Sequence, residues 1–595
     1  MNTKYHIVED FKGYMNKDDI TKLPEGYLVS GSKNVVSTDG RTIASRMGYT
    51  IDGAANTALT PIESSFDWNT NTGVERNLRG YDDELEVRTT ATDGTVTWRR
   101  VKDSWGDVAF DFATWWDISE SQDVLLFVNG DANIYAWSGC VVQIGATTAN
   151  TITLLDTTST WAEQRAFVNG GVLTYDKKLT INGTIYTYTG GETTNTLTGV
   201  TADPSGEASG SYAIQTVTTF TNKPASSALS FPNDYIETLN NQVYIGSSKS
   251  NSVFVSKNTN FTDYSFASPR LPGTGMTLTL DSYCSGFSPE EDVMYISSGK
   301  DYWFQTAITL SADILNENLT VKRLKTAPQQ GAQTIGKIKN STVFVSQEPT
   351  LDFLGKVENI TTTQSEAISD PIKKDFDAYD FTNAHIKYFK NNLYIALPNE
   401  STLLIYNVEK GYWEAPWFLP AGRLAIIDGD LYLHSNSVPE TYKLFSGYND
   451  NDNAMESKAI FAYQNYGNRT NLKSFTKKYT EGYIEKNTTL TRKDLYDWKG
   501  STSTQTQTIT GQDSTTIQIG SESELGQVPL GQNPLGSDTV DTDISKFRVD
   551  KITSKIDFYE KQTEFSSNDI DQRWEILAYG EDLTLSSNNN LRIRK

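Results

Sequence analysis

Short hydrophobic segments built around tyrosine recur along this chain between clusters of turn-forming residues. Residues 385–448 hold two of them, at 393–395 (Leu-Tyr-Ile) and 431–433 (Leu-Tyr-Leu). Each follows an Asn/Asp/Gly turn and precedes a polar loop and a second short hydrophobic run. Runs of β-branched and aromatic residues between turn clusters are typical of β-hairpins. One hairpin cannot bury its own hydrophobic face, so the repetition predicts hairpins that pack against one another.

Similar patterns occur elsewhere in the chain, and their spacing predicts the architecture. They begin at Glu84, Asp123, Thr238, Glu290 and Lys339. Most starts lie roughly 40–50 residues apart, which is the period of a four-stranded propeller blade. The interval from Asp123 to Thr238 is 115 residues, but 41 remain when a compositionally distinct block, 141–214, is removed. The sequence therefore predicts an all-β fold with a β-propeller of about seven blades, with six or eight as alternatives.

The same patterns predict how the chain is divided. Residues 1–33 are predicted to form an extended N-terminal arm. Residues 34–448 form the interrupted propeller, with the strand near Val35 closing the ring against the last blade. Residues 141–214 are predicted to form a small β-barrel or sandwich inserted between blade strands, because insertions are tolerated at exposed loop tips. Residues 449–595 are predicted to form a C-terminal β-sandwich-like domain that begins with a solvated linker.

A leucine-bearing loop is predicted within this last domain. Residues 521–537 contain three Leu-Gly pairs, at Leu525, Leu530 and Leu535, in a stretch too rich in glycine and proline for a regular element. One interpretation is an ordinary loop that packs on its own sandwich. The other is an exposed hydrophobic tip that contacts a neighbouring subunit or constricts a channel.

The charge of the chain limits its possible partners. Among 595 residues, 74 are acidic and 52 basic, which gives a net charge of −22. This balance argues against a nucleic-acid binder that neutralises phosphates, although DNA could slide past such a surface without sticking. No segment approaches the ~18 consecutive apolar residues of a membrane helix, so no integral membrane segment is expected. Cys140 and Cys284 are too few for a disulfide scaffold and are expected to be inert thiols.

The sequence offers no recognisable catalytic or metal-binding motif. His6, His385 and His434 are far apart in the chain, and HExxH, GxSxG and CxxC are absent. The nearest approach to a sialidase Asp-box, residues 92–98, has its Asp and Gly adjacent, which is the wrong spacing. We therefore expect structural histidines, no enzymatic activity, no cofactor and no metal.

Four tryptophans are candidates for stacking on sugars, although tryptophans next to blade strands more often belong to the core. They are Trp115, Trp116, Trp413 and Trp417.

Two stretches carry a resemblance to a known class of protein. The first, 23–49, has the form L-P-x-G-Y, N-V, D-G and R-x-G-Y; the second, 241–264, reads NxVYIGSxxSNxVFVS followed by NFTDY. Together they resemble the β-propeller nozzle, tubular or hub proteins that join head to tail in tailed bacteriophages. The resemblance implies a structural role for Arg46 and provides no catalytic residue.

Two classes of function follow as expectations. The resemblance implies a structural virion protein: a homo-oligomeric ring, of six copies in that family, contacting tail adaptor or portal-side proteins and tail fibres. DNA would pass through the ring without specific binding. The alternative is a carbohydrate-binding or depolymerising propeller that recognises the host surface. The first predicts interfaces that recur around an axis, and the second predicts a concave site with aromatic rings and carboxylates.

Overall fold

In the computed structural model of the protein, almost every element is a β-strand. The residues it describes are 3–17, 19, 21–38, 41–55, 59–168, 173–221, 232–265, 274–290, 293–299, 302–306, 321–324, 334–338, 341–346, 350–353, 367–466, 472–497, 504–511, 544–570 and 573–585. The helical elements in these ranges are α1 (Lys373–Ala378) and the 3₁₀ turns Pro204–Gly206, Asp370–Ile372 and Pro398–Glu400.

Four strands precede the first blade and serve two different parts of the fold. They are β1 (Thr3–Val8), β2 (Val35–Thr38), β3 (Thr42–Ser45) and β4 (Tyr49–Ile51). The first three belong to the C-terminal sandwich, and the fourth belongs to the propeller.

Among the described residues, seven antiparallel sheets follow in chain order and form the blades of the propeller. Blade 1 contains β5 (Ser64–Asn69), β6 (Glu75–Tyr81), β7 (Glu84–Thr90) and β8 (Val96–Lys102). Blade 2 begins with β9 (Asp111–Asp117), β10 (Gln122–Val128) and β11 (Ile134–Trp137). An inserted domain then contributes β12 (Val141–Thr148), β13 (Thr151–Leu154), β14 (Lys178–Ile181), β15 (Thr184–Thr187), β16 (Thr196–Thr198) and β17 (Tyr212–Gln215), and β18 (Thr218–Phe220) completes blade 2.

The remaining blades continue the series. Blade 3 contains β19 (Tyr235–Leu239), β20 (Gln242–Gly246), β21 (Ser252–Val255) and β22 (Met276–Thr279). Blade 4 contains β23 (Cys284–Glu290), β24 (Val293–Ser298), β25 (Tyr302–Thr306) and β26 (Val321–Leu324), and blade 5 contains β27 (Ile335–Ile338), β28 (Ser341–Val345) and β29 (Leu351–Phe353). Blade 6 contains β30 (His385–Phe389), β31 (Asn392–Leu397), β32 (Thr402–Asn407), β33 (Tyr412–Trp413) and β34 (Trp417–Phe418). Blade 7 contains β35 (Arg423–Ile427), β36 (Asp430–His434) and β37 (Thr441–Leu444).

Tight two-residue turns explain why the tyrosine-centred segments form hairpins. The loops between β19 and β20, β30 and β31, and β35 and β36 are 240–241, 390–391 and 428–429, and both residues of each have positive φ. This is the conformation of a type I′ turn, which favours Asn, Asp and Gly and matches the twist of the strands. The turn clusters seen in the sequence therefore set the register of these hairpins.

The ring is closed by a strand from the N-terminal side of the chain. β4 pairs with β37 as the fourth strand of blade 7, with Tyr49 opposite Leu444. Blade 7 also contacts blade 1, because Trp98 of blade 1 packs on Ala425, Ile427 and Tyr432. The prediction that the strand near Val35 closes the ring was wrong: β2 lies in the sandwich, and the closing strand is β4.

The inserted domain leaves blade 2 after β11 and returns at β18, which pairs directly with β11. Its strand order is β15-β14-β17-β12-β13-β16. Its core is separate from the blades and includes Ile144, Leu179, Tyr186 and Leu197.

The C-terminal domain is a sandwich of two sheets. Its strands are β38 (Ser457–Ile460), β39 (Lys473–Glu485), β40 (Thr489–Tyr496), β41 (Thr504–Thr510), β42 (Ile544–Phe558), β43 (Lys561–Ser567) and β44 (Trp574–Leu585). One sheet has the order β2-β3-β44-β39-β42, with β1 also paired to β44, and the other has the order β38-β43-β40-β41. Loop 521–537, with Leu525, Leu530 and Leu535, lies outside the described residues.

Among the described residues, no helix has the length and apolar character needed to cross a lipid bilayer.

Candidate functional site

The junction between propeller and sandwich is organised around Arg46, whose side chain is fully buried. Its guanidinium donates two hydrogen bonds to the Asp450 carboxylate, at 2.9 and 2.6 Å, and its Nε donates to Asn34 Oδ1 at 3.0 Å. It also donates to the backbone carbonyls of Met47 and Phe418. A planar guanidinium suits such a bidentate pair. Arg46 therefore connects the end of β3, blade 6 and the segment that leads into the sandwich.

The two residues after Met47 extend this junction through the backbone. A Cβ on Gly48 would lie 1.7 Å from the carbonyl oxygen of Asn449, so only glycine allows this approach. The Tyr49 N–H then donates to the same carbonyl at 3.1 Å as β4 begins. The Arg-x-Gly-Tyr motif of the sequence is thus the crossing point between the two domains. Residues 449–455, predicted to be a solvated linker, instead supply partners to this motif.

One continuous hydrophobic core joins blades 5 and 6 to the sandwich. Trp413 of blade 6 contacts Phe376 of α1, at 5.7 Å between ring centroids, and its backbone carbonyl accepts from the Tyr14 N–H at 2.7 Å. Farther along the same segment, Phe11 packs on Phe461 of the sandwich at 5.5 Å. The described part of residues 1–33, predicted to be an extended arm, is therefore packed between the two domains of its own chain.

A buried carboxyl group also lies at the junction. Glu414 accepts a hydrogen bond from the Ser37 N–H of β2 at 2.8 Å, and the Tyr412 hydroxyl donates to the Ser37 carbonyl at 3.0 Å. Burial raises the pKa of Glu414 to about 8. Near neutral pH this group consequently holds its proton more readily than an exposed glutamate does.

The sandwich contains a cluster of five charged side chains, each at most 1% exposed, between its two sheets. Its members are Lys478 of β39, Arg492 and Asp494 of β40, Lys561 of β43 and Glu581 of β44. Lys478 pairs with Asp494 at 2.7 Å, Arg492 bridges Asp494 at 3.2 Å and Glu581 at 2.6 Å, and Lys561 also pairs with Glu581. We call this set the ion cluster. It ties both sheets together with directed contacts.

The charges of the ion cluster do not balance, since it holds three cations and two carboxylates. Burial alone would raise the pKa of Asp494, but the charges of Arg492 and Lys561 outweigh it and hold the pKa well below its usual range. The pKa of Glu581 is lowered in the same way against the cost of burial. Burial lowers the pKa of Lys478. Both carboxylates are thus held ionised by their neighbours.

A polar cavity of about 650 Å³ lies beside the ion cluster. Strand β1, the turn at 21–25 and residues 463–466 line it. His6 Nε2 lies 3.1 Å from a Glu25 carboxylate oxygen, and the His6 ring meets the Tyr466 ring edge-on at 4.7 Å. The Tyr466 hydroxyl in turn donates to Glu581 at 3.0 Å. His6 therefore belongs to the packing of β1 against the sandwich.

The two other histidines lie in adjacent blades, although they are 49 positions apart in the sequence. His385 Nδ1 accepts from the Leu424 N–H at 2.8 Å, and His434 Nδ1 bonds to Thr441 Oγ1 at 2.9 Å. Burial lowers the pKa of His434 to about 3 and that of His385 well below its normal value. Both rings are neutral and hold blade strands together, as expected of structural histidines.

Both cysteines and three of the four candidate tryptophans are buried. Cys140 and Cys284 are free and buried, and burial raises the pKa of each thiol to about 12. Trp115, Trp413 and Trp417 are core residues, as the sequence favoured. Trp116 is 40% exposed and is the exception. Within the described ranges, no three His, Cys, Asp or Glu side chains converge as they would around a metal ion.

Comparisons with known proteins give no family for this chain. No family model and no curated protein matches it. The computationally designed Ika8 protein is similar in structure, with 10% identity, 67% of this chain and 100% of that chain covered, and a TM-score of 0.32. The AfRom2 CNH domain (8% identity, 68% and 100%, TM-score 0.32) and BamB from Moraxella catarrhalis (10% identity, 65% and 98%, TM-score 0.28) are similar to the same degree. These likenesses carry no argument about function.

The sheets and the junction together define the class: an all-β protein in which a propeller, with seven blades in the described ranges and an inserted β-domain, is joined to a β-sandwich.

Proposed function

We propose that the protein is a structural subunit of a tailed-phage virion, part of a ring-shaped nozzle or neck around the channel through which DNA leaves the head. The observation that carries the proposal is the junction, where a single hydrophobic core and the buried Arg46–Asp450 pair unite two domains. Interfaces between domains of one chain are usually modest in area and leave the domains free to move. A subunit that withstands the passage of DNA needs a fixed relation between its domains.

The charge of the chain supports the same proposal. A net charge of −22 disfavours adhesion to phosphates, so DNA would slide along a wall of such subunits with few attractive contacts. Contacts between subunits would then be polar-neutral or apolar, because facing carboxylates repel each other. Leu525, Leu530 and Leu535 are the proposed contact or constriction.

The proposed partners follow from the resemblance of 23–49 and 241–264 to the head-to-tail proteins of tailed bacteriophages. They are five further copies of the chain in a ring of six, tail adaptor or portal-side proteins on one face and tail fibres outside. Turnover of a substrate is not part of the proposed function. Release of reducing sugar from host polysaccharide by the pure protein, lost when clustered carboxylates are changed, would contradict it.

The decisive experiment is light scattering combined with negative-stain electron microscopy of the purified full chain. A closed ring with a central opening is expected. A chain that is monomeric both in solution and in electron micrographs of the mature particle would refute the proposal. The triple variant with Ser at 525, 530 and 535 should keep the strand content of the parent but assemble less well. Normal assembly and infectivity of that variant would remove the loop from the proposal while leaving the ring intact.

A further inference from the structure

A cleft of about 290 Å³ separates the outer edge of blade 1 from the inserted domain. On the blade side, Trp98, Arg99 and Arg100 of β8 line it, together with Glu84 of β7. On the other side, Asn182, in the turn between β14 and β15, and Tyr212 of β17 face them. The volume is at the lower end of the ~300–1,000 Å³ of small-molecule sites. The insertion thus creates a concavity that the propeller alone does not have.

The carboxylates of this cleft are already engaged. Glu84 accepts from Arg100 and from the Tyr81 hydroxyl, and Arg100 also pairs with Asp103 at 2.9 Å. Glu86, which also lines the cleft, pairs with Arg79 at 2.8 Å. Their negative charge is therefore balanced within the blade.

Arg99 differs from its neighbour Arg100. Its Nε donates to Thr89 Oγ1 at 2.9 Å, and its guanidinium lies 4.3 Å from the centroid of the Tyr212 ring. In the described part of the chain, no carboxylate lies within ion-pair distance of it. Contact with the ring positions the guanidinium, and its terminal N–H groups form a fork, the geometry that binds a carboxylate through two parallel hydrogen bonds. A half-buried cation with no carboxylate beside it attracts an anion locally, even though the net charge of the chain is −22.

The rest of the lining favours a sugar over a bare anion. A phenol ring, an amide and threonine hydroxyls also line the cleft, a mixture that suits a ligand with both apolar faces and many hydroxyl groups. Arg79 and Arg100 are already paired with glutamates, so one cation remains, which matches the single charge of a carboxylate better than the double charge of a phosphate monoester.

We propose that this cleft binds a carboxylated saccharide, one or two rings in size, whose carboxylate pairs with Arg99 while the sugar lies along Tyr212. The site goes beyond the proposed structural role, because it would give the subunit a direct contact with acidic glycans. It requires no ring assembly, so its test is independent of the oligomeric state.

The test is isothermal titration calorimetry of the full chain with D-glucuronate and N-acetylneuraminate. Methyl α-D-glucoside and acetate serve as the uncharged sugar and the bare carboxylate. We expect saturable binding of at least one acidic sugar, one per chain, at least about tenfold tighter than either comparison compound, since one charge-assisted pair contributes that much. Absence of saturable binding of both acidic sugars would overturn the proposal. Equal affinity for acetate would overturn the saccharide assignment, and equal affinity for the glucoside would overturn the role of the charge.

Variants locate the site. Arg99→Gln should weaken binding of the acidic sugar at least about tenfold, and Arg99→Lys should give an intermediate loss, because lysine keeps the charge without the fork. The matched control is Arg548→Gln, which removes a 61% exposed arginine from β42 of the sandwich and should leave binding unchanged. If Arg99→Gln and Arg99→Lys both bind like the parent, the ligand does not occupy this cleft.

Discussion

The ion cluster holds one more cation than carboxylate, so removing a carboxylate should destabilise the sandwich more than removing a cation. Asp494→Asn removes the carboxylate that accepts from Lys478 at 2.7 Å, Arg492 at 3.2 Å and Thr563 Oγ1 at 2.9 Å. Three buried cations would then face one carboxylate. Removing one partner from a buried ion pair typically costs about 3–5 kcal/mol of unfolding free energy.

Lys478→Met should cost much less. Methionine has a similar length and leaves two cations opposite two carboxylates, and Asp494 keeps the donors from Arg492 and Thr563. The substitution leaves Asp494 Oδ2 without the donor that Lys478 supplies, and a buried acceptor left unsatisfied typically costs about 1–3 kcal/mol. The midpoints of the two expected costs therefore differ by about 2 kcal/mol, although both variants remove the same ion pair.

Calorimetry of the two variants measures this difference. One kcal/mol shifts Tm by about 2–4 °C in a domain of 150–250 residues, so Asp494→Asn should lower the transition of the sandwich by roughly 6–20 °C. The control is Asp550→Asn, which breaks an exposed pair with Lys477 (3.3 Å, about 40% exposed on each side) and should cost about 0–1 kcal/mol. If Asp494→Asn behaves like the control, or Lys478→Met is as costly as Asp494→Asn, the charge argument is wrong.

Other predictions concern the junction and the thiols. Burial raises the pKa of Glu414 to about 8 in the folded chain, so its contribution to the free energy of unfolding is fully present below about pH 4.3 and is lost as pH rises through 8. Glu414→Gln keeps an oxygen for Ser37 and should reduce the difference in free energy of unfolding between pH 5 and pH 9, measured by urea titration. A difference equal to that of the parent would refute this. Arg46→Lys keeps the charge but loses the bidentate pair, which should cost about 1.5–3 kcal/mol and move the calorimetric transitions of propeller and sandwich further apart as the domains uncouple; transitions unchanged from the parent would contradict this. Both thiols should stay silent toward Ellman's reagent until the protein is unfolded, because burial raises the pKa of each to about 12; rapid native-state reaction would show that one is accessible.

The propeller was predictable because its information is local. Two-residue Asn, Asp and Gly turns and tyrosine-centred strands recur at blade spacing, and each hairpin is specified by its own residues. The 115-residue interval likewise pointed to the insertion between β11 and β18.

The junction and the ion cluster were not predictable, because each depends on residues far apart in the chain. Arg46 and Asp450 are 404 positions apart, and Arg492 and Glu581 are 89 apart, so no spacing rule connects them. Strand alternation also failed to show which positions of β40 are charged and buried, since Arg492 and Asp494 occupy positions normally filled by apolar side chains. A partial signal existed in the Arg-x-Gly-Tyr motif, whose glycine indicates a close backbone approach.

The pairing of β4 with β37 and of β1 with β44 has a consequence for how the protein acquires its structure. Residues 3–51 are synthesised first, and the distant strands that β1, β3 and β4 finally join are made hundreds of residues later. The intervening blades can form their own hairpins meanwhile, but the ring cannot close until β37 has been made, and the sandwich is not complete until synthesis has passed β44. Contacts of such long sequence separation form slowly, because the chain entropy of closing a long loop is lost before the contact stabilises anything. During that interval β1 to β4 expose unpaired edges. Ribosome-bound chains that stop before β37 should therefore be the form most prone to aggregate.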